Sequence, residues 1–151
     1  MNKRIENWEI AFEQWLIAAP KRAFEWGVWD CGLMAADCVK ELTGYDPASD
    51  IRGTYSDASG ALDALNRAVG KVEFDGPDYC AFEAFCTDRL GPVLHPDEDS
   101  KGDIVLGLFN SPHGVINSLM VDCGDAYLVM GERAGKIKKD GITAVTAWRV
   151  G

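Results

Sequence analysis

Between Lys3 and Ala19 the apolar residues Ile5, Trp8, Phe12, Trp15, Leu16 and Ala19 recur at steps of three and four. That spacing predicts one amphipathic helix, which Pro20 ends. The connection from Lys21 to Trp29 is aromatic, with Phe24, Trp26 and Trp29 around Gly27. A second helix is predicted from Asp30 or Cys31 to about Thr43. Asp30 suits the N-cap, because its carboxylate can accept from the orphan N–H groups of the first turn. Gly44 stands where a left-handed C-cap is wanted. Leu33, Met34, Ala35, Ala36, Cys38, Val39 and Leu42 make this helix apolar on nearly every side, so it is expected to be central and buried. Tyr45 to Tyr55 reads as a loop with turn signals at Asp46-Pro47 and Arg52-Gly53. A third helix is expected over Ser56 to Ala68, closed by Gly70. A short fourth is expected over Pro77 to Leu90, with Tyr79, Phe82, Phe85 and Cys86 on one side.

The texture changes after Gly102. Gly91 to Lys101 reads as an exposed acidic connection. Asp103 to Phe109, Leu119 to Cys123, Tyr127 to Met130 and Thr143 to Val150 are short β-favouring runs separated by Gly, Asp and Lys. Gly124-Asp125 fits a tight turn between the second and third. Helices first and an antiparallel sheet second is the α+β pattern. No repeat or linker splits the chain, so one domain over residues 1–151 is expected.

Composition narrows the function classes. At 151 residues, with 47% hydrophobic and 26% charged side chains, the chain can bury a core without staples. A formal charge of −9 argues against nucleic acid or an anionic membrane as a partner. The one basic run, Lys136, Lys138 and Lys139, is expected beside an exposed hairpin. Met1 to Glu9 has no signal-peptide pattern, and no segment reaches the ~18 apolar residues of a membrane span. Synthesis in the cytoplasm, without membrane insertion, is therefore expected. An odd number of cysteines, five, fits reduced thiols.

Cys31 is the leading candidate for chemistry. A thiol in the first turn of a helix meets the positive end of the macrodipole and free N–H groups, which favour thiolate. Asp30 opposes that shift unless its carboxylate is occupied in capping. The alternative is a small core residue, the commoner fate of a free cysteine. Cys31 and Cys38 lie two helical turns apart, Cys80 and Cys86 are separated by six positions, and no C-x-x-C pair occurs. No metal site or cofactor is expected from that spacing. Trp26 and Trp29 either line a groove over the thiol or roof the core.

Trp29-Asp30-Cys31-Gly32-Leu33, followed by an Ala-rich helix ending at Gly44, resembles the Asp-Cys-Ser-Gly-Phe motif of NlpC/P60 peptidases. Lys101-Gly102-Asp103-Ile104-Val105 is similar to the Gly-Asp-hydrophobic strand that precedes their catalytic histidine. The approach Phe24-x-Trp26-Gly27-x-x-Asp30-Cys31, the exit Thr43-Gly44-x-Asp46-Pro47 and the close Ala147-Trp148-Arg149-Val150 resemble small NlpC/P60-like proteins encoded in phage and prophage tail-gene clusters. The resemblance spans most of residues 24–150. It implies a papain-like layout with Cys31 as nucleophile at the head of a helix packed on an antiparallel sheet.

The sequence departs from those enzymes at the histidine. Ending the next strand at Gly124 puts Ser118 at the histidine position. Sliding to His113-Gly114-Val115-Ile116 restores an imidazole but shifts the strand by an odd number of residues, which turns its faces over. Asp122 and Asp125 are then candidate orienters of His113, whereas His95 reads as a solvated loop residue. The expected pocket comprises Trp26, Trp29, Asp30 and Ser118 around a catalytic set of Cys31, His113 and Asp125. Two functions follow from the resemblance. One is a phage tail tip or baseplate component with a degenerate site, partnered by other tail proteins and carried outside the cell in the virion. The other is a cysteine hydrolase that cuts peptide cross-links of peptidoglycan. A bacterial accessory protein sharing only the fold is a third reading.

Overall fold

The computed structural model describes residues 3–70 and 79–151. Within them four helices come first: α1 (Trp8–Ala18), α2 (Cys31–Thr43), α3 (Ala58–Ala68) and α4 (Tyr79–Leu90). Six strands follow: β1 (Val93–Leu94), β2 (Ile104–Ser111), β3 (Gly114–Asp122), β4 (Ala126–Met130), β5 (Ala134–Lys138) and β6 (Thr143–Trp148). They form one sheet in the order β1-β6-β2-β3-β4-β5, with every pair antiparallel. The class is α+β.

Helix α2 is enclosed on two sides, which is why its sequence is apolar all round. Met34, Ala35, Cys38, Val39 and Leu42 pack with Phe12 and Trp15 of α1 and with Ile104, Leu106, Leu119, Val121 and Trp148 of the sheet. Leu33 and Ala36 face the other way, onto Ile51, Leu65 and Phe85. Each large side chain buried in this way contributes about 1.5–3 kcal/mol. The sheet's other face buries Val105, Met120, Tyr127, Val129 and Ala147, with Leu94 of β1 and Ile137 of β5 packed against them. Both outermost strands thus contribute to the cluster on this face.

Helix α1 begins at Trp8 rather than Lys3. Asn7 takes a left-handed conformation (φ 59°), and the preceding segment is stitched elsewhere. The Ile5 N–H donates to the Leu42 carbonyl at 2.7 Å. Arg4 donates to the carbonyls of Val150 and Lys101 and to Asp103 Oδ1 at 2.7, 2.9 and 3.0 Å. Ile5 is accordingly exposed and does not join the buried stripe. In α3 the cap is Asp57, whose carboxylate accepts from the Gly60 N–H at 2.6 Å, so the helix starts two residues later than expected. Of the stretch anticipated for the fourth helix, Pro77 and Asp78 lie outside the described residues.

Three strand readings change. β1 lies inside the stretch taken as a connection, and two residues carry no readable periodicity. The Lys136–Lys139 run belongs to edge strand β5 and the turn after it. β3 begins five residues before Leu119, because its first half is open to solvent and lacks the alternation of a half-buried strand: Val115 is 67% exposed and Ile116 39%.

Candidate functional site

The site forms where the N-terminus of α2 meets β3. Asp30 is extended and caps the helix, its Oδ1 accepting from the Leu33 N–H at 2.9 Å. Its Oδ2 accepts from the Gly27 N–H at 3.1 Å and from the Tyr55 hydroxyl at 2.6 Å. The chain can make this turn only with glycine at 27. Its φ is +80°, and a Cβ there would stand 2.0 Å from the Tyr55 carbonyl oxygen. The three bonds leave Asp30 only 2% exposed.

Cys31 follows immediately and is partly exposed as a residue, yet its sulfur is deeply surrounded by protein. Burial pushes the thiol above its ordinary value. The Leu119 N–H opposes this, Asp30 reinforces it, and the Ser118 hydroxyl and Gly32 N–H oppose it more weakly. Helix position alone would favour thiolate. Here desolvation and the adjacent carboxylate outweigh it, so the thiol stays protonated near neutral pH.

Ser118 is 4% exposed and lies across from Gly107 of β2. Its hydroxyl donates to the Leu119 carbonyl at 3.0 Å and is also turned toward the Cys31 sulfur. One hydroxyl proton serves one acceptor at a time, so Ser118 can solvate the sulfur but cannot take up its proton near neutral pH.

The remaining expected catalytic residues are not assembled. His113 is exposed in the turn between β2 and β3, its backbone N–H donating to Ser111 Oγ at 3.1 Å. It lies five positions before Ser118, about 16 Å at the rise of an extended chain. Asp125 is exposed in the turn at the opposite end of β3. A strand of nine residues sets His113 and Asp125 roughly 25 Å apart, so neither can orient the other. Asp122 is fully buried but accepts from Lys139 Nζ at 3.1 Å and the Gly124 N–H at 2.6 Å. The second histidine, His95, is exposed and bonded to Asp97. Both of the chain's histidines are thus exposed.

Beside the sulfur lies an apolar crevice lined by Trp26, Ile51, Tyr55, Phe82, Phe85 and Leu119. The two tryptophans before Cys31 part company. Trp26 is 37% exposed, stands edge-on to Phe24 and borders the crevice. Trp29 is 1% exposed and turned into the core beside Trp15, with Arg22 stacked 4.0 Å above its ring. Arg89 holds the α4 wall in place through paired bonds of 2.9 Å to Asp50. Tyr55, Phe82 and Phe85 were not singled out for the site from sequence. Tyr55 lies twenty-five positions from its partner Asp30, and no local pattern joins them. All five cysteines are free. Among the described residues no three His, Cys, Asp or Glu side chains are grouped to hold a metal ion.

Residues 3–150 match the family described as a domain of unknown function, DUF6950, and the chain belongs to that family. No curated protein and no solved structure matches it.

Proposed function

We propose that this DUF6950 chain is a structural or assembly component of a phage tail tip or baseplate, built on an NlpC/P60-like scaffold whose catalytic site is degenerate. Two things support the scaffold: Cys31 opens an apolar helix, and that helix beds on an antiparallel sheet supplied by the C-terminal half. The tail assignment rests on the resemblance of the motifs around Trp26–Cys31, Thr43–Pro47 and Ala147–Val150 to small proteins of tail-gene clusters. In this reading the chain is made in the host cytoplasm and leaves it in the virion. Among the described residues, no helix is long and apolar enough to cross a membrane.

The observation that carries the degenerate site is the neighbour of Cys31. A cysteine hydrolase needs a base within about 3 Å of the thiol, and the side chain beside this sulfur is a serine hydroxyl. The raised thiol points the same way, since a protonated sulfur is a poor nucleophile.

The test is genetic. In a phage encoding this chain, deletion of its gene is expected to abolish tail assembly. Cys31→Ala is expected to yield particles of normal number and shape that still degrade the host wall. Normal particles that no longer cut peptidoglycan would establish the hydrolase reading instead, and tails that assemble without the gene would remove the chain from the particle.

A further inference from the structure

Among the described residues, the outer edge of β3 is only half covered. β4 pairs with it at Val121 and Asp122 alone, so residues 114–119 have β2 on one side and, among the described residues, no strand on the other. The direction of the backbone groups follows from the ladder. Val121 pairs outward with Leu128. By the two-residue repeat, Asn117 and Val115 present their N–H and C=O groups on that same side.

Natural sheets blunt such edges with charge, brevity or proline. β1 is two residues long, and β5 carries exposed Lys136 and Lys138. The open stretch of β3, Gly114-Val115-Ile116-Asn117-Ser118-Leu119, has no charge, no proline and two exposed aliphatic side chains. It also runs directly into the crevice, because Leu119 at its covered end lines that cavity with Trp26 and Tyr55.

From this geometry we infer that the open edge of β3 is a docking strand for an extended, uncharged, apolar segment of a partner protein, which adds as a seventh strand and places a side chain in the crevice beside Cys31. An extended backbone is the ligand whose N–H and C=O groups recur at the spacing the edge presents. Val115 and Ile116 point to opposite faces, so a partner with aliphatic residues at successive positions gains contacts on both. A second copy of this chain fits less well. Edge-to-edge pairing centred on Ile116 would set its Pro112-His113 turn opposite Leu119, at the mouth of the crevice. The inference stands on the sheet itself and holds whatever assembly the chain serves.

The test uses a panel of short capped peptides carrying valine at successive positions, read by amide hydrogen exchange of the whole chain. Saturating peptide is expected to slow exchange at the Val115 and Asn117 amides at least tenfold. The same peptides N-methylated at every residue, so that neither edge keeps its N–H groups, are expected to slow neither. Val115→Pro removes one outward N–H at a position where an edge strand tolerates proline. That variant is expected to stay folded and to bind the unmethylated peptides at least tenfold more weakly. No slowing at millimolar peptide overturns the inference, as does equal slowing by the methylated set. Slow exchange of both amides without peptide also overturns it: independent of protein concentration it means the chain covers its own edge, and rising with concentration it means a second copy is the occupant.

Discussion

Asp30 and Asp103 are both buried aspartates at the start of a central element, and they are satisfied in opposite ways. Asp103, 0% exposed, accepts from Arg4 at 3.0 Å and from the Val150 and Ser100 N–H groups at 2.9 and 3.0 Å, with Arg149 at 3.4 Å. Two guanidiniums neutralise it, and it ties the N-terminal segment, the loop before β2 and the end of β6 together. Asp30 accepts only from neutral donors: two backbone amides and the Tyr55 phenol. Its charge is held in place but not cancelled, and both the Tyr55 phenol bonded to it and the thiol of Cys31 feel it. The contrast separates a latch from a site. Paired with cations, a buried carboxylate fixes structure. Held by neutral donors beside a sulfur, it adds to the burial that raises that thiol.

Asp103→Ala is the substitution with the largest expected effect. It strands Arg4 in a mostly buried position, and losing one partner of such a pair costs about 3–5 kcal/mol; a denaturant titration reads this as a lower midpoint. Asp30→Asn should cost less, about 1–2 kcal/mol, because the amide oxygen still caps α2 while the charge on the Tyr55 bond is lost. The same variant should move the Cys31 thiol downward, seen as faster alkylation at pH 8. A thiol left unchanged or raised would break the comparison.

A third buried aspartate, Asp122, sharpens it, because there one cation serves two carboxyls. Lys139 reaches Asp122 at 3.1 Å, while Asp99 approaches the same place and accepts from the Tyr127 hydroxyl at 3.3 Å. Burial and the neighbouring Asp122 push the Asp99 carboxyl up to about 7. From about pH 4, the unfolded value, to about 7 the folded chain holds a proton that the unfolded chain releases. The stabilisation from this group is therefore complete below about pH 4 and lost as the pH rises through about 7. Asp99→Asn keeps a neutral side chain at every pH, so its stability relative to the parent should rise from pH 5 to pH 8. Equal differences at the two pH values would show an ordinary carboxyl. The smallest effect is expected for His113→Ala, which should change stability by less than about 0.5 kcal/mol and leave Cys31 alkylation untouched.

How much of this was legible in the chain depended on the range of the interaction. The boundaries of α2 were readable because cap and C-cap act within four residues: Asp30 bonds Leu33, and Gly44 adopts φ 77°. Ser118 was reached only through the resemblance, whose strand, ended at Gly124, puts it at the histidine position. The start of α1 was not, because Ile5 and Arg4 are drawn off by partners at Leu42, Lys101 and Val150. Nor was the Tyr55 bond to Asp30 or the aromatic wall of α4. These are long-range contacts that composition and spacing do not encode. β5 escaped notice because Ala-Gly-Lys-Ile-Lys is an edge sequence, whose exposed lysines hide the alternation.

The sulfur at the head of α2 is buried and unactivated, with the Ser118 hydroxyl and the Asp30 carboxylate near it. The most direct test is the rate of alkylation at Cys31 across pH, resolved from the other four cysteines by peptide mapping. A labelling midpoint above the ordinary thiol value of ~8.5, or no labelling of the folded chain, is expected. A midpoint below about 7.5 would mean a thiolate poised for attack and would contradict an unactivated sulfur.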